Sequence, residues 1–282
     1  MVAVKSIRPK LLKLAQDLGR NFNTLALEFA LERLVVRLQS DSKLTKALVF
    51  KGGFVMLKTY GSNRLTVDLD TALNGLAIEE LQTRVEKIIN KGWDDGVWMG
   101  AIESEKMDHQ TEYNGLRMTI RYSIGQPKVE TKRLGKLILD VGISDAITPS
   151  SQKSTLQPIL GGAPISWCIY PVETIISEKL HALISHGSSN SRYKDVYDIV
   201  HLMPKCQDIS VLHEAISKTF EARDTPVPKS FLAYWNALDK DSLQKSSGSV
   251  SMAIGEIPKF DHLDKTLTKL LKLLETKNAR SK

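Results

Sequence analysis

The spacing of apolar and polar residues changes several times along the chain, and each change predicts an element. Residues 9–39 read as two helices. The second is dense in Leu25, Leu27, Phe29, Leu31, Leu34, Val35 and Leu38, so it is expected to be well buried. Asn23-Thr24 is its expected N-cap, with Glu28 in the first turn. The apolar run ALVF at 47–50 reads as a buried strand, Lys51-Gly52-Gly53 as the turn after it, and 54–60 as a helix. Across 65–73 the period is two: Leu65, Val67 and Leu69 fall on one face, Thr66, Asp68 and Asp70 on the other.

Residues 76–91 form an amphipathic helical pattern, followed by strand-like runs at 97–107, 115–124 and 134–143. The stretch 148–164 is rich in Ser, Thr, Gln, Pro and Gly and reads as a loop and domain boundary. From Pro171 onward the spacing is helical, at 171–186, 192–203, 208–222, 229–239 and 260–276. The Ser-rich stretch 241–252 reads as a loop. The expected fold class is therefore α/β (α+β): a mixed-sheet lobe over 1–165 and a helical lobe over 166–282.

Composition narrows the function. At 282 residues, 42% hydrophobic and 25% charged, the chain has globular composition. Two cysteines, Cys168 and Cys206, with no CxxC pair, exclude a disulfide scaffold and argue against a zinc ribbon. No apolar run approaches the roughly 20 residues of a membrane span. The N-terminus lacks the apolar block of a secretory signal, so no membrane contact and a cytoplasmic location are expected. Thirty-nine Lys+Arg against 32 Asp+Glu give a formal +7, which either serves ordinary solubility or favours a polyanionic partner over a small cationic substrate.

The chemistry concentrates in Gly52-Gly53 and Asp68-Leu69-Asp70. On a strand, Asp68 and Asp70 share a face about 7 Å apart along the backbone. Two carboxylates so placed repel unless a cation lies between them, and hard oxygens suit Mg²⁺, with Mn²⁺ as an alternative. Gly52 and Gly53 allow backbone N–H groups to approach a phosphate. Asp140 interrupts the apolar run Leu137-Ile138-Leu139-Asp140-Val141. A carboxylate there is costly unless paired or metal-bound, so it is the third candidate ligand, the alternative being a turn residue before Gly142. Lys179 falls on the apolar stripe of helix 171–186, where it either snorkels out or meets a buried anion such as a triphosphate between the lobes.

Asp195 and Asp198 are one turn apart. Asp195 is read as a partner of Lys179 or a group holding the base or ribose, Asp198 as a partner of Arg192 or a helix-start acid. Arg64 either binds phosphate or pairs with Asp68 or Asp70. His181 and His186 lack a metal partner and read as surface or core-edge residues. Lys265, Lys269 and Lys272, opposite Leu263, Leu267, Leu270, Leu271 and Leu274, form one face of a docked helix; with Lys128, Lys132, Arg133 and Lys136 they are either a solvated face or a contact for an RNA backbone.

Three blocks together resemble the AbiEii/AbiGii toxin family of the polymerase-β-like nucleotidyltransferase superfamily. They are Lys51-Gly52-Gly53 through Tyr60-Gly61, Arg64, Thr66 and Asp68-Leu69-Asp70; Tyr170-Pro171-Val172-Glu173 leading into Glu178-Lys179-Leu180-His181-Ala182-Leu183; and Arg192 with Lys194-Asp195-Val196-Tyr197-Asp198. The resemblance spans about residues 47–203 and includes mycobacterial toxins that add nucleotides to tRNA. It implies NMP transfer from an NTP to an acceptor, with the tRNA 3′ end expected, and a cognate antitoxin partner. It implies Asp68, Asp70 and Asp140 as metal ligands and, with Lys179 and Asp195, as catalytic groups. Lys51, Gly52, Gly53, Arg64, Lys179, Asp195 and Asp198 are the implied nucleotide-binding set. One departure stands out: Phe54 follows the glycines where family members often carry Ser or Thr. The alternatives are AMP transfer to a protein, modification of a small molecule such as an antibiotic, or nucleotide binding without turnover.

Overall fold

The computed structural model describes residues 7–107, 115–126, 130, 133–143, 146–187, 192–250, 252, 256 and 258–278. These divide into two compact units. The first comprises Met1–Gly61, Leu65–Ser144 and Lys153–Ile169; the second comprises Ser62–Arg64, Asp145–Gln152 and Tyr170–Lys282.

The first unit is a mixed α/β layer. Helices α1 (Ile7–Leu18), α2 (Phe22–Gln39) and α3 (Ser42–Ala47) precede β1 (Leu48–Lys51), α4 (Gly52–Lys58) and β2 (Asp68–Leu73). Then come α5 (Ile78–Ile89), β3 (Val97–Met107), β4 (Gly115–Ile124), β5 (Gly135–Ile143), β6 (Gln152–Leu156) and β7 (Ile165–Ile169). The described strands form one seven-stranded sheet in the order β3-β4-β5-β2-β1-β7-β6. β2 runs parallel to β5 and antiparallel to β1, while β4 is antiparallel to both β3 and β5. The pleat sorts the side chains. Leu69, Leu116, Met118, Ile120, Leu137, Leu139 and Val141 are buried, and α2 packs against β4, β5 and β7. The alternate residues of the central strands carry the polar groups.

Helix α2 begins two residues earlier than its Asn23-Thr24 expectation. Asn21 is the cap: its carboxamide oxygen accepts from the Asn23 and Thr24 backbone N–H groups at 2.8 and 3.4 Å. Glu28 then lies in the second turn, buried, where it accepts from Arg20 at 2.7 Å and Lys58 at 3.0 Å. Lys58, the last residue of α4, also reaches Glu32 at 2.6 Å. Glu32 is fully buried and accepts the Ile159 N–H at 3.1 and 3.2 Å. Burial pushes its carboxyl above the usual range, against the pull of Lys58. This network fixes the far end of α4, the helix that opens at Gly52-Gly53.

The expected loop 148–164 contains β6. Its sequence, QKSTL, is short and mostly polar because β6 lies at the sheet edge with one neighbour, and edge strands need no apolar run. Strand β2 starts at Asp68, so Leu65 and Val67 precede it, and Val67 is exposed.

The second unit is helical: α6 (Val172–His186), α7 (Tyr193–Leu202), α8 (Ile209–Ala222), α9 (Phe231–Ala237), α10 (Lys240–Lys245) and α11 (Phe260–Asn278). α10 occupies part of the expected Ser-rich loop, because Asp239 caps it by accepting the Ser242 N–H at 3.1 Å. On α11, Leu263, Leu267, Leu271 and Leu274 are buried and Lys265, Lys269 and Lys272 exposed, as an amphipathic helix requires. No described helix is long and apolar enough to cross a membrane.

Of the surface and core-edge readings of His181, the surface one fails: the residue is buried. Its ring packs edge-on against Phe220. Nδ1 accepts from Arg223 at 3.1 Å, which leaves Nε2–H to donate to Thr225 Oγ1 at 3.1 Å. Burial, helped by Arg223, pushes its pKa down from 6.5 to about 4. The unfolded chain therefore binds this proton first as pH falls. The stability the neutral ring contributes is complete above pH 6.5 and drains away towards pH 4. In urea titrations, wild type should lose about 2–3 kcal/mol more than His181→Gln over that interval. Parallel loss in both proteins would show that this histidine is not the responsible group.

Candidate active site

Asp68, Asp70 and Asp140 converge on the polar face of the central sheet. Each offers a carboxylate oxygen, and the three oxygens lie within 4.8 Å of one another. Among the described residues, this is the group of three or more His, Cys, Asp or Glu placed to hold a metal ion. All three acids are half-buried. The convergence follows from strand pairing. Asp68 and Asp70 share a face of β2 by the period of two. The parallel register sets Asp70 beside Asp140 and Asp68 beside Ile138 on β5. Thr71, on the opposite face, donates its hydroxyl to the Asp140 backbone carbonyl at 3.2 Å and ties the two strands at that level.

Lys51 ends β1 directly opposite Asp70, almost fully buried. The chain then turns at Gly52, whose φ of 70° is left-handed. A Cβ added there would sit 1.8 Å from Asp70 Oδ2. Gly52 is therefore needed twice, for its backbone conformation and for the space that the Asp70 carboxylate occupies. The donor set, three hard carboxylate oxygens with backbone approaching closely, fits a cation of the Mg²⁺ or Mn²⁺ type. Phe54 plays no part in this. It is buried and packs edge-on against Trp167 with ring centroids 6.0 Å apart, so position 54 serves the core.

Sequence reasoning missed Arg117. Its guanidinium makes a two-pronged pair with Asp140: Nε donates to Oδ1 and Nη2 to Oδ2, both at 2.7 Å. Hydrogen bonding to Asp140 holds Arg117 above the ordinary arginine pKa. The signal was present in part. Within 115–124, Arg117, Thr119 and Arg121 alternate with buried Leu116, Met118 and Ile120. The face was readable, but the partner across the strand was not.

The other expected residues gather in the second unit. Arg64 grips Asp198 with two hydrogen bonds, Nε to Oδ1 at 2.8 Å and Nη2 to Oδ2 at 3.0 Å. Lys179 donates to Asp195 at 2.9 Å and lies 3.3 Å from Asp198. Arg192 lies 3.0 Å from Asp195. Arg192 thus partners Asp195, and Asp198 takes Arg64 and Lys179. Burial opposes the charge on Lys179, but Asp195 and Asp198 outweigh it and hold its pKa above the usual lysine value. For Asp198, burial is likewise outweighed, by Arg64 and then Lys179, and the carboxyl titrates below the usual range. His186 is exposed at the end of α6, a surface histidine as expected. Arg133 and Lys136 are exposed, and Lys128 and Lys132 lie outside the described residues.

A seven-stranded mixed sheet with this acidic trio beside a glycine turn has the layout of a nucleotidyltransferase-type protein. Residues 33–269 match the family model described as nucleotidyl transferase AbiEii toxin, type IV toxin–antitoxin system, and the chain belongs to that family. Two solved Helicobacter pylori structures share the fold. One, JHP933, is 19% identical with a TM-score of 0.56, covering 89% of this chain and 92% of that one. The other, described as a candidate nucleotidyltransferase, is 19% identical with a TM-score of 0.58, covering 91% and 97%. A comparison with curated proteins finds no match.

The conflict at position 52 gives a direct test. Gly61 also has a left-handed φ, 68°, but nothing lies within 4 Å of an added Cβ there. Gly61→Ala should cost about 1–2 kcal/mol of backbone strain alone. Gly52→Ala should cost more by at least roughly 1 kcal/mol, measured by urea unfolding, because Asp70 must move as well. Equal losses would mean that the carboxylate steps aside freely.

Proposed function

We propose that the protein is a toxin that transfers a nucleoside monophosphate from an NTP to an acceptor. The proposed acceptor is the 3′ end of tRNA, and the consequence is a block of translation and growth. The observation carrying this reading is the trio of carboxylate oxygens within 4.8 Å, beside a turn that only glycine fits. Asp68, Asp70 and Asp140 would hold Mg²⁺ or Mn²⁺, which when bound supplies charge neutralisation of the triphosphate and polarisation of the α-phosphate.

The chain's own groups do the remaining work. Gly52 and Gly53 leave backbone N–H groups open to a phosphate, and Lys51 adds a positive charge on the same sheet face. Asp140 accepts the proton of the acceptor hydroxyl on a lone pair that Arg117 does not use. The hydroxyl oxygen bonds to the α-phosphorus, the bond from that phosphorus to the β-phosphate oxygen breaks, and pyrophosphate leaves. We assign Lys179 and Asp195 to the reaction, and Lys179, Asp195, Arg64 and Asp198 to nucleotide binding. In support, Arg64, Lys179 and Arg192 gather three cations around Asp195 and Asp198 in a largely buried cluster.

Support for RNA as acceptor comes from the net +7 and the exposed Lys265, Lys269 and Lys272. Support for an antitoxin partner comes from the family, a toxin–antitoxin system.

Asp68→Asn and Asp70→Asn should each lower transfer of labelled NMP to total tRNA by at least about 100-fold, with unchanged circular dichroism. Induced expression of either variant should also relieve growth arrest. Undiminished transfer by both variants would remove the metal-site mechanism. Labelling of lysate protein in place of tRNA by the wild type would replace the acceptor.

A further inference from the structure

The register of the sheet places five charged side chains in one straight row across five adjacent strands. Glu105 on β3 pairs with Arg117 on β4, Arg117 with Asp140 on β5, Asp140 with Asp70 on β2, and Asp70 with Lys51 on β1. Directly opposed residues are close enough for their charges to act on one another. The row reads negative, positive, negative, negative, positive. Lys51 is buried at one end of the acid pair. Arg117, at the other end, is different: its side chain is 41% exposed while Asp140 beneath it is 16% exposed. A fixed cation thus stands at the solvent edge of the acidic trio, locked to one of its members by two short hydrogen bonds.

That placement acts with opposite sign on two kinds of incoming ligand. A bare divalent cation is repelled by the guanidinium and must share Asp140 with it. A divalent cation already carried on a triphosphate arrives with net negative charge and is attracted. We propose that Arg117 is a positioning residue that holds Asp140 towards the trio and biases the site against free metal and in favour of a metal–triphosphate complex. The inference rests on reading the trio as a metal–nucleotide site. Glu105, exposed on the edge strand, tempers the Arg117 charge from the other side.

The test measures binding, not turnover. Mn²⁺ affinity is read by electron paramagnetic resonance, alone and as its complex with a non-hydrolysable triphosphate, on the full chain. Arg117→Met should bind free Mn²⁺ about tenfold more tightly and the Mn²⁺–triphosphate complex about tenfold more weakly. Arg117→Lys keeps the charge but loses the two-pronged grip on Asp140, so both affinities should fall between those of wild type and Arg117→Met. Glu105→Gln, at an exposed position that should not disturb folding, should shift both affinities about threefold in the reverse sense. Affinities that move in the same direction in Arg117→Met, or in Glu105→Gln where the former does not fold, would overturn the inference, as would no change. Wild type that binds neither ligand would instead defeat the metal-site reading itself, and Asp70→Asn controls for signal from elsewhere.

Discussion

Mutual repulsion of three carboxylates on one sheet face is the constraint that organises the first unit. Asp68, Asp70 and Asp140 stand closer than exposed acids would choose, and the sheet holds them there. The other face of the same strands supplies the restraint. Leu69, Leu137, Leu139 and Val141 are almost completely buried, and a one-residue slip of β2 against β5 would carry the acids into that apolar layer. Register is therefore enforced by hydrophobic burial and spent on electrostatic convergence. Lys51 and Arg117 flank the acids and moderate the repulsion, and Gly52 leaves the room Asp70 needs.

The second unit solves a related problem with the signs distributed differently. Asp198 is fully buried, and an unpaired carboxylate there would cost several kcal/mol. Arg64 and Lys179 both meet it, and Lys179 is shared with Asp195, which also takes Arg192. Each charge in such a cluster depends on the next, so removing one member leaves another buried without its partner. In both units the polar groups are held by partners of opposite charge on neighbouring elements.

The elements and the acids were mostly legible because they rest on local periodicity. The alternation from Asp68 onward, shorter than the expected 65–73, is carried by β2, and the helical stripe bearing Lys179 by α6. Elements lacking an apolar pattern were not legible: β6 is polar because it is an edge strand, and α10 exists because Asp239 caps it. The start of α2 shifted to Asn21 because three nearby polar residues could each cap it, and only the geometry selects one. His181, without a metal partner in the sequence, was read as surface or core-edge, and Phe220, Thr225 and Arg223 enclose it from other segments.

The expected Lys51-Gly52-Gly53 turn is in part helix, since α4 opens at Gly52; sequence by itself determined the mixed α/β class, the shared face of the two β2 acids and the oddity of Asp140 in an apolar strand. Those are properties of neighbouring residues along one backbone, where the repeat of strand or helix dictates direction. Tertiary structure alone decided that Asp140 lies beside Asp70, that Arg117 occupies its two oxygens, and that Arg64 belongs to Asp198. Residues 23 and 134 positions apart make those contacts. Local spacing carries no information about which strand or helix becomes a neighbour; that is settled by how the apolar faces pack.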